Sequence, residues 1–218
     1  MTIAQANTIL RLITNTNSVT VSDANTYRLY SERQKQVLKT LTDLKEGYME
    51  TTQSQDLANG TQGYTIPSTG TLPLRIKRIE VQYATGGTWR KVKLFDINER
   101  SAANDTTSIS NDFAQDAPYG DISGDKVMLY PIPNAAVTNG LKAWYIALPA
   151  DFTATTDTPV IPAEFHRLMV DLVAIDIRQM KGELSTAQAI QEEAMLLQVL
   201  KSQVSPRVTD QDSVMKPL

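Results

Sequence analysis

The sequence contains no cysteine and only one histidine, His166. Without cysteine there are no disulfides, thiolate nucleophiles or cysteine-based zinc sites, and one histidine leaves little for a Ser-His-Asp triad. No glycine-rich phosphate-binding motif is present, and the acidic residues between 96 and 125 are too scattered for an EF-hand loop. We therefore expect a protein that is not an enzyme and uses no metal or cofactor.

A strong excess of either charge is also missing. The 218 residues carry 21 basic and 24 acidic side chains, a net charge of −3, which argues against a general nucleic-acid binder. The most apolar stretch, residues 168–177, is interrupted by Asp171 and Asp176 and is too short for a membrane span. No secretion signal is visible, so we expect a soluble protein made in a cytoplasm-like compartment, without membrane contact.

The N-terminal region has helical periodicity. Apolar residues at helical spacing predict a short helix over 3–13, and Ser22-Asp23 offers an N-cap for a long helix near 22–49. This second helix carries a heptad seam with one polar member: Tyr27, Tyr30, Gln34, Val37, Leu41, Leu44 and Tyr48. The seam packs either inside the chain or against a neighbouring subunit.

Two further helices are predicted near the C-terminus. Pro162 suits the start of a helix over 163–181, and Gly182 suits its end. Residues 185–188 have the capping-box form and open a helix over 185–203. Because the link between them is short, these two helices should form an antiparallel hairpin.

The middle of the chain, about 64–148, shows β-strand patterns. Residues 51–73 are typical of an extended connection with a short strand at 64–66, and the alternation over 74–83 slips at Lys77-Arg78, which indicates a bulge. A glycine turn at 86–87 leads to a return strand over 89–95.

A second β pair follows the first. It consists of a strand over 126–130, a turn at Asn139-Gly140 and a strand over 141–148 that is apolar on both faces. The fold class is therefore α+β, a bundle of N- and C-terminal helices with an inserted antiparallel β region. We expect one domain over 1–204 and an extended arm over 205–218.

Asp176 lies in the apolar arc of the helix predicted over 163–181. An unpaired buried carboxylate is costly, so Asp176 must meet a cation, a hydroxyl or backbone donors. We interpret it as a structural buried carboxylate, with a catalytic or metal role as the alternative. For His166, first-turn exposure or a local hydrogen bond is favoured over metal ligation.

Charge is segregated along the middle of the chain. Residues 74–93 have a net charge of +5 and residues 96–125 one of −6. The basic candidates for contacts with a partner or with DNA are Arg75, Lys77, Arg78, Arg90, Lys91 and Lys93. Three interpretations stay open: two solvated faces, electrostatic matching between neighbouring copies, or a basic hairpin facing nucleic acid.

Two segments are candidates for reaching neighbouring subunits. The candidate inter-subunit contacts are Asp112, Asp116, Asp121, Val208, Val214, Met215 and Leu218. We expect residues 101–118 and 205–218 to be disordered in the free protein and to become ordered in an assembly.

Several stretches resemble the head–tail adaptor (connector) proteins of tailed bacteriophages. They are the long 22–48 helix, the segments 64–67, 74–81 and 87–92, the run Val127-Met128-Leu129-Tyr130-Pro131-Ile132-Pro133, Ala143-Trp144-Tyr145 and residues 157–166. The similarity in the order of these segments covers about residues 20–203. Its motifs are packing and turn signatures rather than chemical ones.

The resemblance implies a structural virion protein that acts in the neck between head and tail. Such proteins form rings, commonly of twelve copies, that bind the portal, extend the DNA channel and dock the tail or the next neck protein, with packaged DNA in the lumen. Another virion ring component, such as a tail-completion or tail-tube protein, is the alternative, and a small soluble enzyme is a weaker one.

Overall fold

The computed structural model describes residues 1–44, 49–66, 73–95 and 113–204. The chain divides into two compact units: a helical unit of residues 1–48 and 149–218, and a β unit of residues 49–148. The terminal helices and the inserted, mainly antiparallel sheets confirm the predicted α+β class. Of the residues named above, Tyr48, Asp112, Val208, Val214, Met215 and Leu218 lie outside the described residues, as do most of 101–118 and the whole arm 205–218.

The helical unit contains four α-helices in its described part: α1 (Ile3–Thr14), α2 (Asp23–Leu44), α3 (His166–Met180) and α4 (Thr186–Val204), with a 3₁₀ turn (Ala163–Phe165) before α3. A capping box between Thr2 and Gln5 starts α1. The predicted capping box before α4 is confirmed, because Ser185 and Gln188 exchange side-chain-to-backbone hydrogen bonds. The predicted stop after α3 is also present, where Gly182 adopts φ 74°.

Helix α2 supplies the long core face of this unit. Tyr30, Val37 and Leu41 of the heptad seam are buried, whereas Leu44 at the end of the described helix is exposed. The buried face is wider than the seam, because neighbouring side chains such as Leu38 are also buried. The seam therefore packs within the chain over most of its described length.

The polar seam residue Gln34 is buried for a structural reason. Its Oε1 accepts a hydrogen bond from the Val160 backbone N–H at 2.8 Å, and one turn earlier Ser31 Oγ accepts from the Phe152 N–H at 2.9 Å. A buried backbone donor without a partner would cost about 1–3 kcal/mol. These two side chains therefore anchor the non-helical segment that leads from the β unit to α3.

In its described residues, the β unit contains two four-stranded sheets. The strands are β1 (Glu50–Leu57), β2 (Gly63–Thr65), β3 (Arg75–Val81), β4 (Arg90–Lys91), β5 (Lys93–Leu94), β6 (Tyr119–Ser123), β7 (Lys126–Tyr130) and β8 (Val137–Ile146). The first sheet has the order β1-β8-β3-β4 and the second the order β2-β7-β6-β5. Among these described strands, all pairings are antiparallel except that of β5 with β6.

The core of the β unit lies between the two sheets. Side chains from the first sheet, such as Ile79 and Leu141, belong to the same buried cluster as Val127 and Leu129 from the second. Tyr83 closes one side of this core, and its hydroxyl donates to the Pro131 carbonyl at 2.8 Å. Burial raises the pKa of Tyr83 well above its usual range, so this phenol stays a hydrogen-bond donor.

Three strand predictions need correction. The connection predicted over 51–73 contains the eight-residue strand β1, which carries no apolar alternation and is held by pairing with β8. The return strand predicted over 89–95 splits into β4 and β5, which belong to different sheets. Asn139-Gly140 is not a hairpin turn but lies inside β8, where Asn139 adopts φ 53° close to an irregularity in the pairing with β1.

The bulge predicted at Lys77-Arg78 is confirmed. The register of β3 against β8 shifts between Ile76 and Arg78, so Lys77 is the extra residue. The shift allows Ile76 and Ile79 both to pack on the core side of the strand. It also places Arg78 directly opposite Trp144.

Candidate interaction surface

The outer face of the first sheet carries several interacting charges. Residues directly opposite each other in an antiparallel pair point to the same face. Trp144 on β8 therefore shares a face with Arg78 on β3 and Thr52 on β1, and Lys142 shares it with Glu80. Ala143, the residue between them, points to the buried side.

Two cations lie over the indole ring of Trp144. The Arg78 guanidinium carbon is 5.5 Å from the ring centroid, and the Lys142 Nζ is 4.9 Å from it. Each such cation–π contact contributes about 0.5–1 kcal/mol at a partly exposed site. The ring therefore holds both cations in place before a partner arrives.

Further charges extend this surface to the ends of the sheet. Arg78 also forms an ion pair with Glu80, and the Lys77 Nζ lies 3.9 Å from a carboxylate oxygen of Glu50. We call the whole set the Trp144 face: Trp144, Arg75, Lys77, Arg78, Lys91, Lys142, Glu50 and Glu80. With five basic and two acidic side chains, its net charge is +3.

The structure brings together four of the six basic candidates from the sequence. Arg75, Lys77, Arg78 and Lys91 belong to the Trp144 face, whereas the two others do not. Arg90 is opposite Val81, whose side chain is buried on the other side of the sheet. Lys93 is on β5 of the second sheet, with its Nζ 5.5 Å from the centroid of the Tyr119 ring.

Sequence reasoning missed Lys142 and Trp144 as members of this surface. The strand containing them was predicted to be covered on both faces, but Trp144 and Lys142 are only half-buried. The basic segment was taken to end at residue 93, and the pairing of β3 with β8 was not predicted. The alternation of Lys142 and Trp144 with buried Leu141 and Ala143 was the one available signal.

The acidic candidates in the described residues lie on the second sheet or beside it. Asp121 is on β6 opposite Met128 and is half-buried, whereas Asp116 precedes the strand and is exposed. Asp125, in the turn after β6, is exposed as well. Most of the basic residues described in the β unit therefore lie on the first sheet. The three carboxylates lie at the second sheet, which also carries the exposed Lys93 and Lys126.

Asp176 meets a cation in the helical unit. Arg33 on α2 binds its carboxylate with two nitrogens, the Nε donating to Oδ2 at 2.8 Å, and the Arg33 Nη1 lies 3.0 Å from Glu193 Oε2 on α4. The Arg33 and Asp176 side chains are each 15% exposed. Its hydrogen bond to Asp176 raises the pKa of Arg33, so the guanidinium stays charged. The three residues join α2, α3 and α4.

His166 is buried and makes a local hydrogen bond. Its Nε2 is 2.8 Å from the Ile161 carbonyl oxygen, and its Nδ1 is 3.2 Å from the Met1 nitrogen. Within the described ranges no group of histidine, aspartate and glutamate side chains has the arrangement of a metal site. Among the helices described here, none is long and apolar enough to cross a bilayer.

Comparison with known protein families decides the identity of the chain. The model of the SU10 adaptor protein family matches residues 1–217. The chain belongs to the SU10 adaptor protein family. This is a family of phage head–tail adaptors, so the SU10 adaptor chain is a structural bacteriophage protein that associates with other phage structural proteins. Among curated proteins, none matches this SU10 adaptor sequence.

Proposed function

We propose that the protein forms a ring between the portal and the tail, where it extends the DNA channel and docks the tail or the next neck protein. The observation that carries this proposal is the match of residues 1–217 to a phage adaptor family. Twelve copies are the number that the family resemblance implies. We place the ring in the neck of the virion, after assembly in the host cytoplasm.

The charge distribution supports assembly by unlike surfaces. A ring needs a heterologous contact, in which one surface of a subunit meets a different surface of the next. The +3 Trp144 face and the exposed carboxylates of Asp116 and Asp125, which lie near the second sheet, provide charges of opposite sign at different places on every copy. The arm residues Val208, Val214, Met215 and Leu218 are proposed as additional apolar contacts to neighbouring copies.

Native mass spectrometry of the purified protein, with and without its portal, tests the proposal. We expect a closed complex of about twelve copies on the portal, as the family resemblance implies and as a heterologous contact that closes by rotation allows. A protein that stays monomeric with the portal, or that is missing from the neck in electron micrographs of the virion, would contradict a neck ring.

A further inference from the structure

We propose that the Trp144 face binds carboxylates on a second copy of this chain and forms one half of the contact between neighbouring copies. This inference rests on the proposed function, because it names the surface through which the ring would close. The partner is an acidic protein surface rather than nucleic acid. Three features of the described residues support this choice.

The first feature is the arrangement of the aromatic ring and its cations. Arg78 and Lys142 both lie within about 6 Å of the Trp144 ring, which is the range of a cation–π contact. Tryptophan and arginine are the residues most enriched where protein interfaces derive their affinity. Because the ring already orders both cations, less side-chain entropy is lost when a carboxylate binds.

The second feature is the presence of two acids within the basic face. Glu80 is ion-paired with Arg78, and Glu50 lies beside Lys77. Duplex DNA carries a phosphate charge about every 1.7 Å of its length, so a DNA segment lying on this face would approach both carboxylates. A protein partner can place individual carboxylates at Arg78 and Lys142 without carrying a continuous row of negative charge past Glu50 and Glu80.

The third feature is charge complementarity within the chain itself. The whole chain has a net charge of −3 and the Trp144 face one of +3, so the remaining residues carry −6. Asp116, Asp121 and Asp125 lie on or beside β6 of the second sheet, outside the Trp144 face. Each copy thus carries both halves of a head-to-tail contact, which can repeat around a closed ring.

The test uses the tryptophan of the face as its own reporter. The sequence has two tryptophans, and Trp89 is 39% exposed, so the variant Trp89→Phe leaves Trp144 as the only tryptophan and its emission can be excited selectively. A dilute solution of this variant is titrated with the Trp89→Phe/Trp144→Phe variant, which keeps its acidic residues. This titrant is called dark because it has no tryptophan emission. We expect a saturable change in Trp144 emission that weakens as salt is added.

Two further titrations separate the alternatives. A dark titrant that also carries Asp116→Asn, Asp121→Asn and Asp125→Asn should bind at least about tenfold more weakly, since the charge pairs would be lost. Equal binding by this titrant, or no emission change with any dark chain, would overturn the proposal. A short duplex DNA that changes the emission when the dark chain does not would also overturn it, in favour of nucleic acid.

Ring assembly on the portal then distinguishes this inference from the proposed function. The variant Arg78→Glu/Lys142→Glu reverses two charges of the Trp144 face. The matched control Arg90→Glu/Lys93→Glu makes the same change of charge outside this face. We expect only the first variant to lose ring formation. If both variants form rings on the portal, the Trp144 face is not the contact, although the ring stands. If the unmodified chain forms no ring, the proposed function itself fails.

Discussion

Replacing Asp176 by asparagine should destabilise the helical unit markedly. The substitution leaves the Arg33 guanidinium, 15% exposed, with Glu193 as its one remaining charged partner among those described. Removing one member of a buried ion pair costs about 3–5 kcal/mol. Because the pair retains some solvent contact and Glu193 stays in place, we expect a loss of about 2–3 kcal/mol in the free energy of unfolding.

The loss is measured by urea and thermal unfolding, followed by far-ultraviolet circular dichroism near neutral pH. For a chain of this size, it corresponds to a decrease in Tm of about 4–12 °C. The matched control is Asp171→Asn on the same helix, because the Arg167–Asp171 pair has side chains 58% and 31% exposed. Such an exposed pair contributes about 0.3–0.5 kcal/mol. An Asp176→Asn effect as small as that of the control would refute the reasoning.

A second variant tests whether the unpaired charge is the cause. In Arg33→Met/Asp176→Leu both charges are replaced by apolar side chains of similar size, and such replacements are often neutral or stabilising. We therefore expect the double variant to recover most of the stability that Asp176→Asn loses. A double variant as unstable as the single one would assign the loss to packing instead.

Three other substitutions test the fold. The Asp157 carboxylate accepts hydrogen bonds from two backbone N–H groups, which lower its pKa, so it stabilises the fold above about pH 4. This stabilisation is lost as the pH falls through the folded-state pKa. In acid unfolding, the difference in stability between Asp157→Asn and the parent protein should therefore become smaller as the pH falls. Tyr83→Phe leaves the Pro131 carbonyl without its donor and should lower the free energy of unfolding by about 1–2 kcal/mol. Because the phenol of the unfolded chain ionises above about pH 10 and burial raises the pKa of the folded phenol, the parent loses stability in this pH range and Tyr83→Phe should lose less. An equal loss of stability with pH in both proteins would contradict this. Gly140→Ala should cost about 1–3 kcal/mol, since a Cβ there would lie 3.0 Å from Leu57, and denaturation midpoints unchanged from the parent would contradict the close packing.

Periodicity and capping chemistry account for what the sequence predicted well. The helices were predicted near their observed positions because their apolar spacing, the Ser185–Gln188 box and Gly182 all agree locally. The bulge at Lys77 was visible as a slip in alternation. Gln34 was recognised as the polar member of the seam, but its partner, the Val160 backbone, lies 126 residues away.

The missed features depend on pairing between distant segments. Strand β1 has the uncharged polar run Thr51–Gln55, so its strand conformation comes from β8 rather than from its own pattern. Asn139-Gly140 has the composition of a turn, but β1 pairs with β8 before it at Val137 and after it at Leu141, and this makes it part of a strand. The Trp144 face likewise arises only when β3 and β8 pair, because Arg78 and Trp144 are 66 positions apart.

The chain enters and leaves the β unit at the same end of the β1–β8 strand pair, which forms one ladder of backbone hydrogen bonds. Strand β1 begins at Glu50, and Glu50 is paired with Ile146, the last residue of β8. Tension between the two chain segments of the helical unit would therefore load this ladder at one end and perpendicular to its strands. In that geometry the force acts on one pair of hydrogen bonds at a time, so the pairs break in sequence. Under shear, by contrast, all pairs would carry the force together. Pulling on the two connections of the β unit would therefore open it from the end where β1 begins and β8 ends.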